Sequence, residues 1–237
     1  MKPTPPPGRQ QLLYFVLVCA LLCPVALWEL DKPLALWLHQ HPQTQPFFAA
    51  LTTGADTLRE ALFFSFSVAG IPGGFVMLVA TFLLGRFVLK APGAGVFLLV
   101  FLVALNSEVA ANLLKLYFQR PRPDAFLTHG MTGAGFWQAP TRDYGFPSSH
   151  AAIYFGLLLP VAWQFPRYRW WLLALPALLA VGRLVLEMHF LSDVLASVVL
   201  AGLFTWLFSR LPFITPRRPF RLRIPHLPAP SPKERED

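Results

Sequence analysis

Three short stretches hold residue types that can manage a phosphate group. The first runs Lys115-Leu-Tyr-Phe-Gln-Arg-Pro121-Arg122-Pro123. A proline drives the residue before it out of the helical region, so Pro121 and Pro123 end a helix beyond Lys115 and hold Arg122 in an extended segment. The second, Gly145-Phe-Pro-Ser148-Ser149-His150, leads straight into the apolar run Ala151 to Leu159. Ser148 or Ser149 can cap a helix there, and the free N–H groups of a helix N-terminus form an anion site. The third spans Gly182-Arg183 through His189 to Ser192-Asp193. His189 and Asp193 are four apart and would share a helix face. The carboxylate can then accept from the proton-bearing ring nitrogen and leave the other as a nucleophile. Arg183, six before His189, lies at the wrong angle for one continuous helix, so a bend is expected between them.

Each stretch taken alone also fits a structural role: a snorkelling Lys and Arg at a helix end, an ordinary N-cap beside a surface histidine, or a satisfied His–Asp pair at the membrane interface. Together they offer two histidines, three cations (Lys115, Arg122, Arg183), a capped helix start and one carboxylate. That set meets the needs of phosphoryl transfer without a metal: cations for the oxygens, a nucleophile, and an acid for the leaving group.

The elements that must position these groups are apolar. Of 237 residues, 55% are hydrophobic and 14% charged, and mean hydropathy is +0.50. Soluble domains carry about 25% charged residues, so the composition argues against a soluble globule and excludes disorder for most of the length. Six runs approach the ~20 apolar residues that cross a bilayer: Leu12 to Trp28, Leu62 to Leu84, Val96 to Leu114, Ala151 to Trp163, Trp170 to Leu186 and Val194 to Phe208. The first resembles a signal peptide in length, but Pro24 and Trp28-Glu29-Leu30-Asp31 follow instead of a small-x-small cleavage site, and it is read as a retained span. Pro72-Gly73-Gly74 softens the second, which membranes tolerate when neighbours satisfy the freed backbone. Leu34 to His39 and Pro46 to Thr53 are expected at the interface. The fold class is therefore all-α, a polytopic bundle of six transmembrane helices (residues 12–208) between a tail at 1–11 and a basic, Pro-rich tail at 209–237 that is expected to be disordered.

Net charge is +8, with seven of the twenty Lys and Arg after Phe208. Cations in tails and short gaps point to anionic phospholipid rather than nucleic acid. With the N-terminus inside, thirteen Lys and Arg lie on the cytoplasmic side and seven outside, so both termini are expected in the cytoplasm and the three stretches at the outer face. Cys19 and Cys23, one turn apart in the first run, act as small hydrophobes there.

Lys115, Arg122 and Pro123 stand in the spacing K-x6-R-P; Pro147-Ser148-Ser149-His150 is close to P-S-G-H; Arg183, His189 and Asp193 follow R-x5-H-x3-D. This three-part signature resembles that of the type 2 phosphatidic acid phosphatases, membrane lipid phosphatases related to vanadium haloperoxidases. The motifs cover Lys115 to Asp193, and the six-span layout extends the likeness to about 12–208. The resemblance implies that His189 attacks phosphorus, with Asp193 orienting it. His150 would protonate the leaving group. Lys115, Arg122 and Arg183 would clamp phosphate oxygens, and the Ser148 hydroxyl and Ser149 N–H would hydrogen-bond them. It implies no cofactor and no metal. Two positions depart from the pattern: Ser149 replaces a glycine, and Gly182 replaces the serine before Arg183. Lipid phosphates in a bacterial cytoplasmic membrane are the substrates implied, among them undecaprenyl pyrophosphate, phosphatidylglycerol phosphate and lipid A phosphate. A lipid-to-lipid phosphotransferase and a non-catalytic lipid-phosphate binding or transport protein are the competing readings. The spans exclude a soluble haloperoxidase. Of the remaining acidic groups, Asp143 with Arg142 is placed at the entrance, Glu108 at a contact between spans, and Glu187 on an exposed loop.

Overall fold

The computed structural model describes residues 7–128, 135–138 and 142–214. Nine helices are named here: α1 (Pro7–Val25), α2 (Asp31–Gln40), α3 (Gln45–Arg59), α4 (Gly73–Leu83), α5 (Gly95–Phe118), α6 (Pro123–Thr128), α7 (Ser149–Gln164), α8 (Arg169–Val185) and α9 (Leu191–Phe208). A wider π-type turn, Ala26–Leu30, joins α1 to α2, and similar turns extend α3 (Glu60–Phe64) and α4 (Leu84–Val88).

α7 lies at the centre and packs against α5, α8 and α9, while α1 packs along α9. Without a hydrophobic force between helices in lipid, close backbone approach must hold the bundle together, and small residues permit it. A Cβ on Gly156 would stand 2.7 Å from Ala104 Cα, and one on Gly202 2.4 Å from Val16 Cγ2. These two glycines set the α5–α7 and α1–α9 crossings. One core joins Leu12, Val16, Phe155, Leu159, Val194 and Ala201 from α1, α7 and α9; a second joins Phe75, Ala104, Ile153 and Leu179. Trp28 and, at the opposite end of the bundle, Trp170 and Trp171 are exposed, as aromatic residues at a bilayer interface are.

Among the described residues four helices are long and apolar enough to cross a membrane: Gly8–Gln40, Gly95–Phe118, Pro166–Val185 and Leu191–Phe208. The chain is thus a multi-pass membrane protein, and the six spans expected from the sequence reduce to four by this measure. The run Leu62 to Leu84 is not one helix. Ser67–Val68 (β1) and Ile71–Pro72 (β2) pair as a two-stranded antiparallel hairpin between α3 and α4, closed by Ala69 and Gly70 at positive φ. Pro72 cannot continue a helix from the N-terminal side, and Gly73 and Gly74 let Phe66 and Phe63 lie directly on the backbone. This hairpin is also a small departure from an all-α fold. The stretches expected at the interface are the helices α2 and α3, and α3 packs on α8.

Residues 7–11 belong to α1, tied down where Trp163 Nε1 donates to the Gly8 carbonyl at 2.6 Å and Arg9 donates to the Ser209 carbonyl at 2.6 Å. Ile214 is buried against Leu99 and Val103, so the chain stays packed through 214. The expectation of a disordered tail from 215 onward lies outside the described residues. Cys19 and Cys23 are free thiols.

Candidate active site

The three stretches converge at one end of the bundle, where two backbone connections bring them together. Pro121 bridges Tyr144 in antiparallel fashion, and Gly145 N–H donates to the Arg120 carbonyl at 2.7 Å, laying the first stretch beside the second. Ser148 N–H donates to the Asp193 carbonyl at 3.2 Å, and the Ser197 hydroxyl lies 2.8 Å from both the Ser148 and Asp193 carbonyls, tying the second to α9. Gly145 keeps this junction tight. A Cβ there would stand 3.1 Å from Asp193 Oδ2 and 3.3 Å from the Pro121 carbonyl.

α8 ends at Val185, and the chain turns through Glu187 at φ 57° before α9 begins at Leu191. The bend expected between Arg183 and His189 is therefore present. The shared helix face is not: His189 precedes α9, whereas Asp193 sits in its first turn and accepts the Phe190 N–H at 2.8 Å. His189 Nδ1 lies 2.9 Å from the Gly145 carbonyl and 3.6 Å from Asp193 Oδ2. A carbonyl can only accept, so the proton is on Nδ1 and the Nε2 lone pair is free to attack. The carbonyl sets the tautomer, and Asp193 supplies negative charge behind the ring.

Asp193 is itself held. Arg120, fully buried, donates to Asp193 Oδ1 at 2.5 Å, to Asp31 Oδ2 at 2.8 Å and to the Ser192 hydroxyl at 2.7 Å. Its guanidinium lies 4.3 Å from the centre of the Phe190 ring. Asp31 also accepts from the Ser192 N–H at 3.0 Å and from its hydroxyl at 2.5 Å. Arg120 is one of the seven cations counted on the outer side, and its burial between two carboxylates makes it part of the site's frame.

Ser148 is the N-cap of α7, its hydroxyl accepting from Ala151 N–H at 3.3 Å. The N–H groups of Ser149 and His150 are left without an acceptor among the described residues, as expected of a first helical turn. Lys115 Nζ donates to the Ser149 hydroxyl at 3.0 Å, so the serine in place of the motif's glycine takes up one of the three cations of the signature. Arg122 pairs with Asp143 at 2.8 Å. Arg183 pairs with Asp56 and donates to Met188 Sδ at 3.1 Å. The Nε–H groups of Arg122 and Arg183 are both buried without an acceptor among the described residues.

The two histidines share one electrostatic field. Burial pushes His189 below the usual imidazole range, Lys115 and Arg122 add to that, and Asp193 opposes it. His150, one residue ahead of the apolar run, is pushed down to about 3, by burial first and then by Arg183. Burial and the surrounding cations thus favour the neutral form of both rings at pH 7. A phosphate dianion would cancel the cationic field and restore proton affinity.

The sequence reading missed Asp56, Tyr154, Asp31 and the structural use of Arg120. Asp31 and Asp56 carried a signal, since carboxylates at membrane depth are costly, but their partners lie 89 and 127 positions away. Gly182 is explained: a Cβ there would stand 2.7 Å from Thr52 Cγ2, so the missing serine lets α3 close on α8. Glu108 reaches Arg59 at 3.9 Å, a contact with the end of α3 and not, as expected, with another span. Glu187 is not a free loop residue, pairing with His39 at 3.0 Å. Among the described residues no group of three or more His, Cys, Asp or Glu is placed to hold a metal ion.

The family profile described as PAP2 superfamily matches residues 95–216. Lipid A 1-phosphatases of Rhizobium etli and Rhizobium johnstonii are each 32% identical over 108 residues, 46% of this chain and 47% and 44% of theirs. The chain therefore spans about half the length of the curated relatives it matches. A crystal structure described as the first transmembrane PAP2-type phosphatidylglycerolphosphate phosphatase, from Bacillus subtilis, superposes with a TM-score of 0.53 at 19% identity, covering 85% of this chain and 94% of that one. That likeness concerns the fold alone.

Proposed function

This chain belongs to the PAP2 superfamily, and from that premise we propose that it hydrolyses a membrane lipid phosphate or pyrophosphate through a phosphohistidine. The observation that carries the reading is the set of unspent donors around the two histidines: the buried Nε–H groups of Arg122 and Arg183 and the free N–H groups at the start of α7. Buried donors without acceptors are costly, and a phosphate would satisfy them together.

In the first step the Nε2 lone pair of His189 forms a bond to phosphorus, and the bond from phosphorus to the leaving oxygen breaks. His150 gives its proton to that oxygen. In the second step water attacks phosphorus, its proton passes to His150, and the phosphorus–nitrogen bond breaks. The imidazolium that forms at His189 faces Asp193 at 3.6 Å. Lys115, Arg122 and Arg183 hold the oxygens, as Mg²⁺ does in other phosphoryl-transfer enzymes. The Ser148 hydroxyl, whose oxygen is already the α7 cap, contributes through its remaining hydrogen.

The decisive assay is phosphate release in detergent from phosphatidylglycerol phosphate, lipid A phosphate and undecaprenyl pyrophosphate, with EDTA present. Release unaffected by EDTA and inhibited by vanadate is expected. A rate lost in EDTA and restored by a divalent ion would overturn the metal-free mechanism, and no release from any of the three would overturn the function.

We place the six-run bundle in a bacterial cytoplasmic membrane with both termini inside, anionic lipids around the basic tail, and the site at the outer face. The positive count of thirteen inside against seven outside supports this, more strongly once buried Arg120 is removed from the loop charges. In a Cys19→Ser/Cys23→Ser background, a cysteine at exposed Trp137 should react with an impermeant reagent in intact cells. Reaction only after permeabilisation would reverse the orientation.

A further inference from the structure

Asp56 lies on α3, in a stretch to which the chemistry above gives no role. Its carboxylate nonetheless joins two groups of the site. Oδ2 pairs with Arg183 Nη2, while Oδ1 accepts the Tyr154 hydroxyl at 2.7 Å and stands 3.8 Å from His150 Nε2. Tyr154 is one helical turn beyond His150 on α7, so tyrosine and arginine fix the carboxylate from two helices and aim it at the histidine ring.

We propose that Asp56 is the positioning residue of His150, holding the Nε2 edge of the ring beside Arg183 and balancing the positive charge that His150 carries as the acid. This rests on the reading of His150 as the proton donor to the leaving group. The groups that face His150 are Asp56 and Arg59 from α3, Arg183 from α8 and His189 from the turn before α9, with Lys115 from α5 on the adjoining Ser149. The arginines and His189 oppose a proton on His150, and Asp56 favours one. Burial tends to raise the Asp56 carboxyl, but hydrogen bonds from Tyr154 and Arg183 hold it below the usual carboxylate range. It therefore remains an anion throughout the working range of the enzyme. Asp56 and Asp193 thus stand in parallel positions, one carboxylate behind each histidine.

The sign of the expected effect follows from which protonation state works. kcat requires protonated His150 in the substrate complex, so the rate falls on the alkaline side as that proton is lost. Asp56→Asn removes the anion and moves the alkaline limb to lower pH, by about one unit for an opposite charge at this range. KM should be unchanged or lower, because asparagine competes less with phosphate for Arg183. Tyr154→Phe should do the opposite: Arg183 still holds the carboxylate in place, and Oδ1, no longer sharing its charge with the Tyr154 hydroxyl, acts more strongly on His150 and moves the limb to higher pH. The kcat loss in Asp56→Asn should also be smaller for a lipid pyrophosphate than for a lipid monophosphate, since the former leaving group needs less protonation.

The experiment is the pH profile of kcat and KM for the full chain in detergent, wild type and both variants, on both substrates. Opposite displacements of the limb establish the proposal. Equal losses on both substrates with an unmoved limb, or displacement of both variants in one direction, overturn it. If Asp56→Asn does not accumulate as folded protein, Tyr154→Phe alone decides, an unmoved limb overturning the proposal. Wild-type protein that releases no phosphate would instead overturn the function itself.

Discussion

His189→Ala should abolish both hydrolysis and the formation of an acid-labile phosphoenzyme, a loss on the order of 10⁶-fold, as when the nucleophile of a protease triad is removed. The expectation rests on the ring's placement. Nδ1 is 2.9 Å from a carbonyl that can only accept, so the lone pair proposed to attack is on Nε2. His150→Ala removes a general acid, worth about 10²–10⁴-fold. Its defect should be smaller for a lipid pyrophosphate, which leaves as a phosphate monoester, than for a lipid monophosphate, which leaves as an alkoxide. The His189 defect should be complete for both. Rapid mixing with ³²P-labelled substrate and acid-free trapping reads both. Phosphoenzyme trapped in the His189→Ala protein would show that the roles are misassigned.

The second large effect is on stability. Arg120 is fully buried with Asp31 and Asp193 at 2.8 and 2.5 Å. Breaking a buried ion pair by removing one partner costs about 3–5 kcal/mol, because the charge left behind has neither water nor a counter-ion. Arg120→Ala strands two carboxylates. Asp31→Asn strands none, since Arg120 and Asp193 still neutralise each other. Thermal melting in detergent should therefore rank Arg120→Ala far below Asp31→Asn. Arg120→Lys should fall between them, because an ammonium cannot reproduce a planar fork aimed at three acceptors. An Arg120→Ala protein that melts with the wild type would remove the network from the account of stability.

What the sequence disclosed follows the range of the interactions. The Ser148 cap, the helix end before Pro121 and the break between Arg183 and His189 depend on residues within a few positions of one another, and all three could be read. The hairpin at Ser67 to Pro72 could not, because an apolar run broken by Pro and Gly looks like a kinked span until Phe63 and Phe66 are seen to cover Gly74 and Gly73. The pairing of His189 with the Gly145 carbonyl, rather than directly with Asp193, depends on a loop 44 positions away. Arg120, Asp31 and Asp56 were visible as charges in apolar surroundings; only the packing of α2 and α3 against the motif-bearing ends reveals what neutralises them.

The Arg120 cluster also bears on how the molecule is made. Its three anchors come from residue 31, residue 120 and residues 192–193, which leave the ribosome far apart in time. Until the last helix is in place, the guanidinium has no Asp193 to meet and Asp193 has no cation to hold it. The carboxylate pairing behind His189, the proposed nucleophile, therefore cannot form before α9 has been made. A chain without its first forty residues would keep the Arg120–Asp193 pair but lose the Asp31 carboxylate that anchors both the guanidinium and Ser192.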